Sequence, residues 1–431
     1  MLEIKTGRKP GLLKKKMKSI KITCLAFIIL ISVLHCSAQD SQNGKQKIDM
    51  KSNKENTYGD DKSFLEKYSD LIELSSGSSR VLLSKNFQGR VFTSSATGDQ
   101  GTSFGWINYN HFKSGIKSKQ FNPYGGEERI WLGPEGGPFS IYFEKGKEQI
   151  FDNWVVPKEI DVLPFDVVTK TKTSVSFQKD FTLKNATGTV LNVGIKRNVK
   201  LLNSDEVENK LNCTIDKSLN FVAYESENIL TNKGGTAWNE KSGVLSVWML
   251  SMFNPSPVGV VFIPYGKEIK ETNVSEILTD DYFGKVPGDR LKVKNGIIYF
   301  KTDGKYRSKI GISPKFALPY CCSYDSQKHI LTLLWFSLPE KQSKYVNSKW
   351  GNQDPMKGDA VNSYNDGPVT DGSIMGPFYE IESSSPAANL SPGEKITHTQ
   401  RIFHISGDEK KLSLITEKIF NLSIDEIKKA F

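Results

Sequence analysis

Short apolar segments that alternate with polar residues recur along most of the chain, and turn residues separate them. Residues 174–183 and 190–199 form two such segments, and the Asn-Ala-Thr-Gly stretch between them is typical of a turn. Residues 330–336 are apolar enough for a strand that is buried on both faces. From about residue 70 to 405, strands do not alternate with long helical patterns, as they do in parallel α/β folds. The sequence therefore predicts an all-β fold, a large antiparallel sandwich.

Helical patterns are expected mainly at the two ends of this β-rich region. Asp60 and Asp61 are typical of a helix N-cap and precede a short stripe of apolar residues. After residue 405 the apolar spacing changes to that of a helix. Ser423 and Glu426 have the spacing of a capping box and predict a second, final helix.

The N-terminal segment has the pattern of a targeting sequence. Residues 14–21 carry five lysines, and residues 22–34 form an apolar run that is too short to span a bilayer. Cys36-Ser-Ala then offers a cleavage site before Gln39, or Cys36 itself becomes a lipidated N-terminus. Both alternatives predict an exported protein, periplasmic or secreted, and the second predicts an outer-membrane lipoprotein.

These patterns divide the chain into four parts. We expect a signal peptide over residues 1–38, a flexible polar tether over 39–60, the sandwich domain over 61–405, and helices packed on the sandwich over 406–431. A lipid anchor at Cys36 is the one membrane attachment that the sequence suggests.

The charge of the chain resides largely in the targeting segment. The whole chain has 58 Lys and Arg against 48 Asp and Glu, of which residues 1–36 hold eight and one, so the formal charge falls from +10 to +3 without them. We therefore expect no nucleic-acid partner. Three cysteines remain, Cys213, Cys321 and Cys322, and a disulfide from Cys213 to one of the other two is an open alternative. The spacing of His and Cys predicts no metal site, and no motif predicts a cofactor.

The run GGEERIWLGPEGG, residues 125–137, combines glycines with charged and aromatic residues. On a strand, Glu127, Arg129 and Trp131 share one face, and Glu135 follows in the next turn. Acceptors, donors and an indole in one row suit a pyranose ring, and glycine allows a ligand to approach the backbone closely. The alternative is a structural hairpin held by a Glu–Arg pair beside a half-buried Trp.

A second row of polar residues lies near the end of the β-rich region. Glu380 and Glu382 share one face of a predicted strand, and a same-face carboxylate pair can provide a general acid or base. A solvated edge strand is the alternative. His398 shares a face with His404 on the next strand and either lines a site or packs in the core.

The same region resembles the C-terminal signature of the galactose mutarotase-like, or aldose epimerase-like, superfamily. The resemblance rests on Glu382-Ser-Ser-Ser-Pro-Ala, on Leu390-Ser-Pro-Gly-Glu and on the closing strand, and Gly125-Gly126 looks like the superfamily's glycine hairpin. More closely, the chain resembles an uncharacterised family of exported bacterial proteins. Its marks are Gly105-Trp-Ile-Asn, the 125–137 run, Trp248 and the Phe253-Asn-Pro-Ser-Pro stretch.

The resemblance implies a β-supersandwich with a concave carbohydrate cleft and Glu382 as general base. It also implies a general-acid His near the middle of the chain, but residues 150–328 contain no His. Trp248, Asn254 and Tyr265 lie in that region instead, and His398 or Arg401 are the remaining candidates for the acid.

We therefore predict an exported protein that binds a small-molecule or oligosaccharide ligand, either as an epimerase-like enzyme or without catalysis. A structural or partner-binding envelope protein is the alternative. The predicted ligand contacts are Glu127, Arg129, Trp131, Glu135, Glu380 and Arg401, with Glu382 and His398 as catalytic groups. We expect the 125–137 and 379–385 stretches to meet across one cleft, with Glu382 accessible to solvent.

Overall fold

The computed structural model describes residues 56–266, 274–369 and 371–431, and these described residues form one compact unit. The predicted signal peptide, Cys36 and all but the last residues of the predicted tether lie outside the described residues. Within the described ranges, no helix is long and apolar enough to cross a membrane.

The described residues form strands and short helices. In chain order the strands are β1 Leu71–Ser76, β2 Ser79–Ser84, β3 Arg90–Ser95, β4 Arg129–Gly133, β5 Asp166–Lys170, β6 Ser174–Lys184, β7 Val190–Leu201, β8 Asn220–Asn232, β9 Ser246–Phe253, β10 Gly259–Pro264, β11 Leu278–Thr279, β12 Leu291–Lys294, β13 Ile297–Lys301, β14 Ser308–Ile312, β15 Tyr320–Asp325, β16 Ile330–Phe336, β17 Val361–Asn365, β18 Tyr379–Ser384 and β19 Lys395–Ser406. The helices are α1 Tyr58–Leu65, α2 Tyr109–Ser114, α3 Lys158–Asp161, α4 Ser204–Leu211, α5 Val274–Ile277, α6 Glu409–Phe420 and α7 Ile424–Lys428.

Two large sheets carry the architecture. The ten-stranded sheet has the order β12-β13-β10-β15-β16-β19-β8-β7-β6-β5, and the six-stranded sheet has the order β11-β14-β17-β18-β9-β4. A third sheet contains β1, β2 and β3. The paired strands run antiparallel, with long ladders such as β8 with β19 and β9 with β18. The predicted all-β antiparallel fold is confirmed. The turn after β13 carries the chain from the ten-stranded to the six-stranded sheet, because β14 pairs with β17.

The two large sheets face each other across a shared interior. Side chains of the six-stranded sheet hydrogen-bond to the ten-stranded sheet from this side: Ser383 to His398 over 2.8 Å, and Tyr379 to Ser323 over 2.8 Å. Apolar residues of alternate positions, such as Ile381, fill the space around these bonds. Because side chains alternate along a strand, the residues on either side of Ile381 point to the opposite face of the six-stranded sheet.

The terminal helices match the predicted pattern with one shift. α1 begins at Tyr58, earlier than Asp60 and Asp61 indicate, because Thr57 is the N-cap and Asp60 completes a capping box from inside the helix. Ser423 and Glu426 form the predicted capping box of α7. α6 and α7 cover the outer face of the ten-stranded sheet, and the mid-chain helix α4, which the sequence pattern did not indicate, packs in the same cluster.

The cysteines of the described residues are free thiols, and the alternative of a disulfide from Cys213 is therefore wrong. Cys321 and Cys322 are consecutive residues of β15, so one faces the interior between the sheets and the other faces the helices.

Candidate functional site

The outward face of the six-stranded sheet carries an unusual concentration of charged and aromatic side chains. Strand pairing places Arg129, Leu250 and Glu382 in one row, with Trp131 beside Trp248 in the next. Side chains in one row of an antiparallel sheet point to the same face. We call this surface, defined by Arg129, Trp131, Trp248, Lys309, Glu380 and Glu382, the site face. It points away from the ten-stranded sheet.

Glu382 lies at the centre of the site face. One carboxylate oxygen, Oε2, accepts a hydrogen bond from the Trp248 indole over 2.9 Å and one from the Lys309 ammonium over 2.8 Å. The other oxygen, Oε1, is buried and has no hydrogen-bond partner among the described residues. Charge-assisted bonds to one oxygen fix the orientation of the carboxylate and leave the other oxygen to accept from a ligand.

Arg129 links the two stretches that the sequence analysis singled out. Its Nη2 lies 3.0 Å from the carboxylate of Glu380, 251 residues further along the chain. Its guanidinium stacks on the Trp131 ring, 4.2 Å from the centroid, a cation–π contact. Burial raises the pKa of Glu380, and the nearby Glu382 raises it further, although Arg129 opposes both.

Glu135 reaches the same cluster from the loop after β4. Burial raises the pKa of this carboxyl, the Lys309 ammonium lowers it, and Glu382 raises it again. The Trp350 and Trp154 indoles favour the charged form of the carboxylate and also lower its pKa. Burial lowers the pKa of Lys309, but the carboxylates of Glu382 and Glu135 outweigh it, so this pKa is raised. Lys309 therefore remains charged between two carboxyl groups.

The site face is more enclosed than expected. Glu382 was predicted to be accessible to solvent, but it is fully buried. Arg129 and Trp131 have exposed fractions of 5% and 3%. Lys309 is the half-buried residue of the site face, and Glu135 and three neighbouring residues are also half-buried: Tyr282, Lys349 and Trp350. Solvent therefore reaches the cluster mainly at these half-buried residues.

Glu127 does not share a face with Arg129 and Trp131, and that prediction is wrong. The amides of Glu127 and Glu128 both donate to β3, to Phe92 and Val91 respectively, whereas in a regular strand only alternate amides point to one neighbour. Gly126 just before them has a φ of +121°, which favours glycine. The regular alternation therefore begins only at Arg129.

Both glutamates point into the interior between the sheets. Glu127 accepts hydrogen bonds from Ser94 and lies 3.1 Å from Nε2 of His404. Glu128 pairs with Arg197 and accepts a hydrogen bond from Gln400 over 2.7 Å. These carboxylates join the hairpin to the ten-stranded sheet and do not reach the site face.

His398 and Arg401 also lie away from the site face. His398 is in the interior, bonded to Ser383 on the opposite face of β18 from Glu382, and burial lowers its pKa to about 3. Arg401 lies on the outer face of the ten-stranded sheet, stacked on Trp335 at 3.8 Å and paired with Glu225. The structure brings together Arg129, Trp131, Glu135, Glu380 and Glu382 of the predicted residues.

Sequence analysis missed Lys309 and several neighbouring residues. Lys309 is the single charged residue of β14. A lone lysine in this otherwise uncharged strand was the signal that could have identified it. Tyr282 donates to the Asp359 carboxylate over 2.6 Å, and both come from loops without a motif. Among the described residues no group of three or more His, Cys, Asp or Glu has the arrangement of a metal site.

The chain matches the model of DUF6786, described as a family of unknown function, over residues 56–431. The chain belongs to this family. Membership in an uncharacterised family, as predicted, is thereby confirmed. Comparison with curated proteins finds no match.

Several solved structures are similar to this DUF6786 chain at low sequence identity. The Slr1438 protein from Synechocystis sp. PCC 6803 matches with a TM-score of 0.49 and 11% identity, over 79% of this chain and 96% of its own. A galactose mutarotase-like protein from Lactobacillus casei matches with a TM-score of 0.45 and 10% identity, over 78% and 100%. The GalM/aldose epimerase homologue from C. elegans has a TM-score of 0.39 and 12% identity, over 78% and 98%.

Proposed function

We propose that the site face binds a carbohydrate. Sugar rings present hydroxyl groups around an apolar ring face, so their sites combine bidentate polar groups with aromatic walls. Glu382, Glu380 and Arg129 supply charged acceptors and donors, while Trp131 and Trp248 supply indole rings beside them. The sequence motifs that resemble the mutarotase-like superfamily include Glu382 and are consistent with this assignment.

One observation carries the proposal. Four buried polar atoms of the site face have no hydrogen-bond partner among the described residues: Oε1 of Glu382, Nε and Nη1 of Arg129, and Nε1 of Trp131. Leaving a buried donor or acceptor unpaired costs about 1–3 kcal/mol. A ligand with several hydroxyl groups satisfies donors and an acceptor at once, whereas an apolar ligand satisfies none.

Titration of tryptophan fluorescence tests the proposal directly, because four indoles, those of Trp131, Trp154, Trp248 and Trp350, lie in or beside the cluster. A panel of mono- and oligosaccharides is titrated into the wild type and into Trp131→Phe. We expect saturable quenching by at least one sugar and weaker binding by the variant. Trp335→Phe, on the outer face of the ten-stranded sheet, is the matched control. If no sugar of the panel binds, the proposal is wrong, and the alternative of a structural or partner-binding protein is favoured.

A second candidate function is sugar isomerisation, and Glu135 favours it. In this candidate, Glu382 takes the proton of the anomeric hydroxyl while protonated Glu135 donates a proton to the ring oxygen, and the ring C–O bond opens to the aldehyde. Closure on the other carbonyl face returns both protons and inverts the anomer. Glu135 is half-buried with a raised pKa, as a proton donor requires, whereas the Glu382 carboxylate accepts a hydrogen bond from the Lys309 ammonium.

Exchange spectroscopy by nuclear magnetic resonance measures this reaction on any aldose that binds. Glu135→Gln and Glu382→Gln should each abolish accelerated exchange between anomers, and Glu135→Gln should retain sugar binding. Because the donor must be protonated, the rate should fall as the pH rises above the pKa of Glu135. Binding without exchange in the wild type would assign the protein to the non-catalytic class.

We also propose that the protein is exported. The basic segment, the short apolar run and the small residues before Gln39 support this. Mass spectrometry of the protein from envelope fractions should find an N-terminus near Gln39, or a diacylated Cys36. An intact N-terminus in cytosolic fractions would exclude export.

A further inference from the structure

The aromatic character of the site face continues past Glu380 toward solvent. Tyr364 is paired with Glu380 in the next strand, and the exposed ring of Phe283 lies edge-on to Tyr364 at 5.9 Å. Phe283 has an exposed fraction of 47%, unlike the buried rings at the centre. Arg307 stacks on this ring with its guanidinium 4.0 Å from the centroid. A flat, partly exposed platform therefore adjoins the candidate site.

Arg307 differs from the other arginines of the described residues. Five of them have a carboxylate within ion-pair distance, namely Arg80, Arg129, Arg197, Arg290 and Arg401. Arg90 is buried and donates to a backbone carbonyl. Arg307 is half-buried, and in the described part of the chain no ion pair engages it. Its Nε donates to the Tyr364 hydroxyl over 3.3 Å, which positions the group, and its charge lowers the pKa of the nearby Asp366 without forming an ion pair.

A stacked guanidinium outside any ion pair suits an oxyanion, because a guanidinium can donate two parallel hydrogen bonds to a carboxylate or a sulfate. Arg307 stands two residues before Lys309, so the two side chains are roughly 7 Å apart along one face. That separation is comparable to one sugar ring. Lys309 contacts Glu382 and Arg307 stacks on Phe283, so a ring held at Glu382 would bring the next ring near Arg307 and Phe283.

We propose that the site takes an acidic oligosaccharide, with one ring at Glu382 and a neighbouring ring on Phe283 whose carboxylate or sulfate pairs with Arg307. This inference rests on the proposed carbohydrate-binding function. It adds the substrate class: a charged chain of at least two rings in place of a free neutral monosaccharide. The carboxylate and sulfate groups share the same chemistry at Arg307, and the experiment separates them.

Matched pairs of glycans test the charge requirement. Tetrasaccharides of galacturonate and of alginate are each titrated beside their carboxyl-reduced forms, and a sulfated galactan tetrasaccharide is titrated beside its desulfated form. Wild type, Arg307→Gln and Lys305→Gln are compared by calorimetry. Lys305 is an exposed lysine on the same loop, so its variant removes an equal charge and retains the Arg307 guanidinium that stacks on Phe283.

We expect at least one acidic glycan to bind about tenfold more tightly than its neutral form, as for the loss of a charge-assisted hydrogen bond. Arg307→Gln should abolish that difference, and Lys305→Gln should retain it. Binding of neutral forms only, or an unchanged preference in Arg307→Gln, would overturn the inference and leave carbohydrate binding intact. Failure of all these glycans and of the wider sugar panel would overturn both proposals.

Discussion

The ammonium group of Lys309 lies 2.8 Å from the carboxylate of Glu382, and side-chain exposures of 11% and 1% make this a buried ion pair. The two residues come from strands that are not direct neighbours, since β17 lies between β14 and β18. The pair therefore joins three strands of the six-stranded sheet and holds the central charge of the site face in place.

Removing either partner of this pair should destabilise the protein. Glu382→Gln removes the carboxylate that is hydrogen-bonded to the buried Lys309 charge, and the loss of unfolding free energy should be about 3 kcal/mol. A solvent-accessible Glu382, as predicted from the sequence, would instead tolerate the change within about 1 kcal/mol. Urea denaturation measures the effect.

A double variant separates this charge imbalance from other causes. Glu382→Gln combined with Lys309→Met should regain most of the loss, because the buried ammonium is removed together with its hydrogen-bonded partner. The exposed pair of Lys344 and Glu240 is the control, and Glu240→Gln there should change stability by less than about 1 kcal/mol. Equal losses of unfolding free energy at the buried and at the exposed ion pair would contradict this explanation.

Trp131→Phe removes one indole N–H from the site face and keeps most of the packing. Trp131 contacts Arg129, Trp248 and Phe121, so a smaller ring should cost about 1–2 kcal/mol of stability. Sugar affinity should fall about tenfold, because the unpaired donor no longer reaches a hydroxyl. Calorimetry beside Trp335→Phe measures both effects, and equal affinity for the two variants would place the ligand elsewhere.

Period-2 patterns were sufficient to predict much of this protein. Apolar alternation predicted the antiparallel strands, and the same rule placed Arg129 with Trp131 and Glu380 with Glu382 on common faces. The prediction for Glu127 was wrong because the backbone at Gly126 interrupts the regular alternation. The residues of this stretch are all acceptable in a strand, so the sequence does not show the interruption.

Other errors arose because the alternation of side chains along a strand shows which residues share a face of the sheet. It does not show whether that face packs in the interior or points outward. His398 shares a face with His404, as predicted, yet that face meets the interior. Arg401 points the other way, toward Trp335. Lys309 and Glu135 join Glu382 through strand order and loop placement, and these depend on contacts between residues that are far apart in sequence.

His398 should make the protein sensitive to acid. Burial lowers its pKa to about 3 in the folded protein, whereas an unfolded His has a pKa of about 6.5. As the pH falls below 6.5, the unfolded chain binds a proton that the folded protein does not, so stability present above that pH is lost. The stability advantage of wild type over His398→Gln should shrink by roughly 2 kcal/mol between pH 7.5 and pH 4.5 in urea denaturation. Sugar binding at neutral pH should not change, and a loss of binding would return His398 to the site.

Asp359 should make the stability of the protein depend on pH in the opposite direction. Burial raises its pKa to about 6, although hydrogen bonds from Tyr282 and Thr279 oppose the shift. The folded protein therefore holds this proton more tightly than the unfolded chain, and stability present below about pH 4 is lost as the pH rises through 6. The advantage of wild type over Asp359→Asn should fall by about 1–2 kcal/mol from pH 4 to pH 7. Thermal unfolding at both pH values checks this, and a difference that grows with pH would contradict it.

The inward-facing glutamates of the hairpin have a consequence for ligand affinity. Glu128 is tied to Arg197 and Gln400 immediately before Arg129, the residue that reaches both Trp131 and Glu380. The backbone that presents Arg129 is thus already ordered before a ligand arrives. Binding a ligand at Arg129 therefore costs little conformational entropy in this backbone. The free energy of each new hydrogen bond then contributes to affinity with little loss.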